Sequence, residues 1–266
     1  MNQITKTIID FFVVLLTTLC VLGFFLSDIF LFRAKAPSYT DNEQIIKLTT
    51  EDGTRLSAMY FPLKDAKYTI LVSHGNGEDI GRTQKFAQQL NREGYSAMVY
   101  DYYGYGTSEG RPNEQNSYLA VEAAYQFLTE KQHIPPRQII AYGHSLGSGV
   151  ASYLANTQPV AALIIDGAFL SAFRVVTMVP LLPFDKFNTA SRIQNIDIPK
   201  LFIHGTEDEV IPFWHGEALY EMANPPKSNL WVQQGKHNNV TIVSGETYWQ
   251  KWRELVRDIE TFQYPN

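Results

Sequence analysis

Cysteine is almost missing from this chain: one residue of 266, Cys20, carries a thiol. That excludes an internal disulfide framework and any Cys-rich metal site. The histidines do not fill the gap, because His204 and His215 share no metal-ligand register with a third residue. No metal is expected. Basic blocks are lacking as well. With 22 Lys and Arg against 27 Asp and Glu the formal net charge is −5, so DNA or RNA is not an expected partner. Closely spaced glycines occur at Gly104 and Gly106, but without dinucleotide-binding spacing and without a helix opening on them, and no cofactor is expected. There is no repeat and no internal break in composition.

The N-terminus alone departs from the rest. Phe11 to Leu26 is a run of sixteen uncharged, almost wholly apolar residues between Asp10 and Asp28. It is longer than a usual signal-peptide core and slightly short for a bilayer span. A cleaved secretory peptide and an uncleaved single-pass anchor are both open; no small-x-small cleavage site follows, which favours the anchor. Residues 1–36 are therefore expected to form a membrane anchor with its flank, with the membrane as a partner, and 37–266 a single globular domain. Lys6 before the run and Arg33 and Lys35 after it do not settle orientation by the positive-inside rule. The globular part is expected outside the cytoplasm. Ala36 to Glu43 reads as a linker.

Beyond it, short apolar runs alternate with amphipathic helical patterns. Strands are expected at 45–49, 57–61, 68–73, 97–101, 138–143, 162–166, 200–204 and 230–234, with helices at 82–92, 118–128, 145–156 and 248–262. Continuous apolar strands separated by helices predict an α/β fold with a mostly parallel, eight-stranded sheet covered on both faces.

Gly143-His-Ser-Leu-Gly147 sits between one such strand and its helix. The G-x-S-x-G spacing allows a turn tight enough to lift one hydroxyl, that of Ser145, above the end of a sheet. A serine hydroxyl is a weak nucleophile until a base takes its proton and a third group holds that base. In a fold of this kind the chain order is Ser, then acid, then His. His237, in a polar loop beyond the last strand, is the candidate base. Asp208, in the loop after the strand ending at His204, is the candidate acid, with Asp166 as its rival. The oxyanion needs two fixed donors. Leu146 N–H, at a helix start, is one candidate; Asn76, in His74-Gly-Asn-Gly77, is the other.

Together these segments, with Asp101-Tyr-Tyr-Gly-Tyr-Gly106, resemble the α/β-hydrolase superfamily over nearly all of residues 45–262. Within it the chain is similar to the membrane-tethered α/β-hydrolase-domain serine hydrolases related to protein depalmitoylases. Asp101 to Pro112, Ile203 to Ile211 and His215 to Glu221 carry that closer likeness. The resemblance implies the α/β-hydrolase fold and a Ser-His-Asp enzyme cleaving acyl esters or thioesters through an acyl-enzyme, without cofactor. Two departures stand out: Asn238 and Asn239 follow His237 where relatives often carry an acid, and a single cysteine replaces a Cys-rich N-terminus.

Only about thirty residues separate Asp166 from Pro199, which implies a minimal lid. Its apolar side chains, Phe169, Phe173 and Met178 among them, are candidates for an acyl-chain wall or for simple packing. A peptidase or aminoacyl-ester hydrolase of the same fold, and a catalytically silent binding protein, are the alternative readings. Oligomeric state is not legible.

Overall fold

The computed structural model describes residues 3–177 and 185–264. Eight strands form one sheet: β1 (Ile46–Thr49), β2 (Arg55–Phe61), β3 (Thr69–Ser73), β4 (Ser96–Tyr100), β5 (Ile139–His144), β6 (Ala162–Asp166), β7 (Lys200–Gly205) and β8 (Lys227–Val232). Their order across the sheet is β1-β2-β4-β3-β5-β6-β7-β8. β2 runs antiparallel to β1 and β4, while β4, β3 and β5 to β8 are parallel.

The parallel strands are covered on both sides, and alternate residues feed two cores. Ile70 and Val72 of β3, Ile164 of β6 and Leu201 and Ile203 of β7 pack with Ile80, Leu90, Trp252, Leu255 and Ile259. These belong to helices α2 (Ile80–Arg92) and α9 (Glu246–Thr261). Leu71, Leu163, Ile165 and Phe202 point the other way, toward Ala124, Val150 and Leu154. That face is covered by α3 (Glu114–Gln126) and α4 (Leu146–Thr157). A period of two in a fully buried strand explains why these runs read as unbroken apolar stretches. Helix starts follow side-chain chemistry: Asp79 caps α2 through Arg82 N–H and Asn113 caps α3 through Asn116 N–H. Between β6 and β7 the described residues form only α5 (Arg174–Thr177) and α6 (Thr189–Ile193), a small cap. Shorter α7 (Trp214–Met222) and α8 (Val240–Ser244) follow β7 and β8.

The N-terminal expectation is overturned. α1 (Gln3–Leu31) is helical, but among the described residues no helix is long and apolar enough to cross a membrane. The sixteen uncharged residues from Phe11 to Leu26 make about 24 Å of helix against a hydrocarbon core of about 30 Å. The single-pass anchor, the membrane as a partner and the extracytoplasmic placing that followed from the anchor all fall with it. The C-terminal end of α1 instead docks on the sheet domain. Ser27 and Phe32 are buried, Asp28 pairs with Lys186, and Phe32 meets Phe187 edge-on at 5.9 Å. Nor does the stretch after it hang as a linker. Ser38 N–H donates to Asp79 Oδ2 at 2.7 Å, and Tyr39 Oη–H donates to buried Asp101.

Candidate active site

β5 ends at His144 and α4 begins at Leu146, so Ser145 alone reverses the chain. It does so at φ 52° and ψ −118°, a conformation costing a non-glycine residue on the order of 1–3 kcal/mol. Ser145 N–H donates to Asp166 O at 2.9 Å, pinning the turn to the end of β6. The flanking glycines are sterically required. A Cβ on Gly143 would lie 2.1 Å from Gly147 O, and one on Gly147 would lie 2.0 Å from Ser73 O.

Asp208 follows β7 and His237 follows β8, and the parallel strands bring both loops to the same sheet edge as Ser145. His237 Nδ1–H donates to Asp208 Oδ2 at 2.7 Å. Asp208 Oδ1 accepts the N–H groups of Val210 at 2.8 Å and Ile211 at 2.7 Å. His204 Nε2 lies 3.3 Å from Asp208 Oδ2 and donates to Ile211 O at 2.9 Å. Burial pushes the Asp208 carboxyl up, but hydrogen bonds from His204, His237 and the Ile211 N–H outweigh it. They hold the group well below the usual carboxylate range, so it is charged at neutral pH.

Asp166, the rival acid, is occupied differently. Its Oδ2 accepts from Tyr142 Oη–H at 3.2 Å and Tyr248 Oη–H at 3.3 Å. Complete burial pushes its carboxyl up, against the pull of His144, His204 and His237. His215 sits on α7, stacked on Trp214, and accepts Leu170 N–H at Nδ1 at 3.3 Å; burial pushes its imidazole down to about 4.

Gly167, directly after β6, lies against the His237 ring at φ +59°. A Cβ there would come 3.1 Å from His237 Cε1 and 3.2 Å from Nδ1. Gly167→Ala is therefore expected to cost about 1–2 kcal/mol in backbone strain and to shift the imidazole enough to lower kcat roughly ten- to hundred-fold. Thermal melts alongside ester kinetics check this; unchanged kcat in a folded variant would mean the ring tolerates the methyl group.

Ser145 and His237 open on one cavity of about 660 Å³. Leu146, Phe169, Ala172, Val175 and Ile211 give it an apolar lining, and Arg33, Lys35, Glu78 and Arg82 a charged one, with Asn76 among them. Asn76 is also a clamp: Nδ2–H donates to Leu31 O, while Oδ1 accepts Arg33 N–H at 2.8 Å and Tyr105 Oη–H at 2.8 Å. Beneath it, buried His74 donates from Nδ1 to Gly75 O at 2.9 Å and faces Asp101 Oδ1 across 3.5 Å at Nε2. Burial works against the His74 cation, yet Asp101 outweighs it and raises the pKa. Tyr102 Oη–H donates to His74 O at 2.8 Å and braces the same loop.

Of the candidates for an acyl-chain wall, Phe169 lines the cavity. Phe173 is half-buried, its N–H donating to Asp185 Oδ1 at 3.0 Å, and is not part of the described lining. Met178 lies outside the described residues. Arg33, Lys35 and Glu78 were not legible as site residues. No local motif marks them, and the first two arrive because the end of α1 docks on the domain and Asn76 holds the backbone at Leu31 and Arg33.

Comparison with known proteins bears on the family and the fold. The family model described as serine aminopeptidase, S33 matches residues 64–185. Human alpha/beta hydrolase domain-containing protein 17B is 40% identical over 197 residues, 73% of this chain and 68% of the relative. Protein 17C of Mus musculus is 34% identical over 230 residues, 85% of this chain and 70% of the relative. An esterase from Pyrococcus furiosus superposes with a TM-score of 0.70 at 19% identity, covering 85% of this chain and 98% of the esterase, a likeness of fold. At that identity to its relatives the chain belongs to the α/β-hydrolase superfamily, in the family of alpha/beta hydrolase domain-containing protein 17, and is a serine hydrolase.

Proposed function

We propose that Ser145, His237 and Asp208 hydrolyse acyl ester or thioester bonds through an acyl-enzyme. The observation that carries this is the 2.7 Å bond from His237 Nδ1–H to Asp208, in a ring that shares its cavity with the strained Ser145. A carboxylate at Nδ1 fixes the tautomer whose Nε2 lone pair is free for a serine proton.

His237 Nε2 takes the Ser145 proton as Oγ bonds to the acyl carbon, and the carbonyl electron pair moves onto oxygen. Leu146 N–H, at the start of α4 where the helix dipole is positive, holds that oxyanion. The Asn76 side chain is committed to Leu31, Arg33 and Tyr105, so its contribution is the backbone N–H. Collapse breaks the bond to the alcohol or thiol, which leaves with the proton from His237. Water then gives its proton to His237, adds to the acyl carbon, and the acid departs as Ser145 is restored. The apolar wall from Phe169 to Val175 suits the acyl chain.

A peptidase reading finds support in the matching family model's description. The cavity argues against an aminopeptidase: a free α-amino group needs carboxylates, and the described lining holds one, Glu78, beside three cations.

The test is fluorophosphonate labelling of the full chain beside Ser145→Ala. Labelling confined to the native chain is expected, with ester hydrolysis reduced by about 10⁴-fold or more in the variant. A folded native chain that takes no label would end the reading and leave a silent binding protein in its place.

A further inference from the structure

The cavity carries charge the reaction does not use. Although the chain is net negative, Arg33, Lys35 and Arg82 all line the space in front of Ser145. Arg82 is already paired, its guanidinium 2.7 Å from Asp79 Oδ2, and Asp79 also accepts the Ser38 N–H. Glu78 is engaged as well, accepting Gly75 N–H at 2.8 Å. Arg33 and Lys35 differ: among the described residues no carboxylate lies within 4.0 Å of either.

Their position is built rather than incidental. Asn76 holds the carbonyl of Leu31 and the N–H of Arg33, so the segment carrying both charges is bonded to the loop that borders the serine. Gly77, at φ +77°, lets it approach. A Cβ there would stand 3.2 Å from Lys35 Cε, 3.4 Å from Lys35 Nζ and 3.5 Å from Arg33 O. The Lys35 ammonium thus lies over the glycine loop, in the cavity that Phe169, Ala172 and Val175 also line. The lining holds three cations against one carboxylate, Glu78, and a cleft with such an excess of one sign concentrates ligands of the other.

We propose that Arg33 and Lys35 form an anion subsite that receives a phosphate or carboxylate on the alcohol or thiol half of the substrate. The acyl chain takes the apolar wall, so the charged end points to the segment after α1. Only the assignment of which half lies there rests on the hydrolase reading; the anion preference of the cavity does not. Arg33 offers a planar, two-pronged donor and Lys35 a point charge, a pair suited to either oxyanion.

The test measures equilibrium binding to full-length Ser145→Ala protein, so that no turnover is needed. Octanoylglycerol 3-phosphate is compared with octanoylglycerol, and S-octanoyl thioglycolate with its neutral thioglycolamide counterpart. The anionic member of at least one pair is expected to bind roughly five- to ten-fold tighter, the range for two partly exposed charge contacts. The advantage should shrink as salt is raised. Preference within one pair alone names the oxyanion the subsite takes. In the same background Arg33→Gln with Lys35→Gln should bring both ratios close to one, whereas Lys64→Gln, removing an exposed charge elsewhere, should leave them as they are. Equal affinities within both pairs, or a preference that survives the double variant, would overturn the subsite. Fluorophosphonate labelling of the native chain reads the serine separately: absent labelling with an intact anion preference defeats the hydrolase reading and not this one.

Discussion

Asp208→Asn is expected to lower kcat by about 10⁴-fold while moving KM little. The reason lies in how the carboxylate is held. Its Oδ1 already accepts two backbone N–H groups, from Val210 and Ile211. An asparagine can satisfy those donors only with its carbonyl oxygen, so its amide nitrogen must occupy the Oδ2 position, facing His237 Nδ1. Two donors cannot meet. The imidazole would move its proton to Nε2 and could no longer take one from Ser145. His204 Nε2, 3.3 Å from the same Oδ2, keeps Ile211 O as an acceptor but would face the amide nitrogen in place of a carboxylate oxygen, so a modest stability loss of about 1–2 kcal/mol accompanies the change. Steady-state hydrolysis of a short neutral ester by both proteins, with a thermal melt of each, is the check. A loss of less than ten-fold in a folded variant would mean that another acid orients His237, and Asp166 would be re-examined first.

A steep alkaline collapse of stability, beginning near pH 10, is the second large effect. Tyr100, Tyr102, Tyr142 and Tyr248 are completely buried, and burial raises all four phenols well above their ordinary value. The folded state therefore keeps protons that the unfolded chain gives up at pH 10. Their contribution is intact below pH 10 and is lost as pH rises toward the folded-state values. Four such groups steepen the loss to about 5 kcal/mol per pH unit, enough to consume the stability of an ordinary domain within two to three units. Buried Lys200 works in the opposite sense. Burial pushes its ammonium down to about 8, so stability gains by its one proton between pH 8 and about 10.5. The expected curve is thus a shoulder from pH 8 to 10 followed by a cliff. Denaturant midpoints against pH, with tyrosinate absorbance recorded alongside, would show cooperative ionisation coincident with unfolding. Gradual ionisation of a protein that stays folded would contradict it. Activity should fall on the same limb, because Tyr102 braces His74 and Tyr142 and Tyr248 hold Asp166.

The elbow was legible because its requirements are local. Glycines at 143 and 147 are dictated by clashes of about 2 Å with neighbouring backbone, and a strand and a helix on either side are patterns of a few residues. The alternation of buried strands and amphipathic helices told the sheet for the same reason. His237 was legible through chain order alone, since no other late histidine stands in a loop beyond a last strand. The choice between Asp208 and Asp166 was not local. Both end or follow parallel strands, and what separates them is that Val210 and Ile211 N–H groups aim one at His237 while Tyr142 and Tyr248 enclose the other.

The N-terminal segment shows the same divide more sharply. Sequence alone supplies an apolar run bracketed by Asp10 and Asp28, which reads as an anchor; hydropathy records what a residue is, and nothing of what it meets. Its end instead meets Lys186, Phe187 and Asn76, which places Arg33 and Lys35 in the cavity of a serine far along the chain. By itself the sequence determined the strands, the strained nucleophile turn and the chemistry available at His237, because each depends on neighbours within a few positions. Tertiary structure decided which acid bonds His237 and which charges share the cavity with Ser145, because those depend on segments distant in sequence converging at one sheet edge.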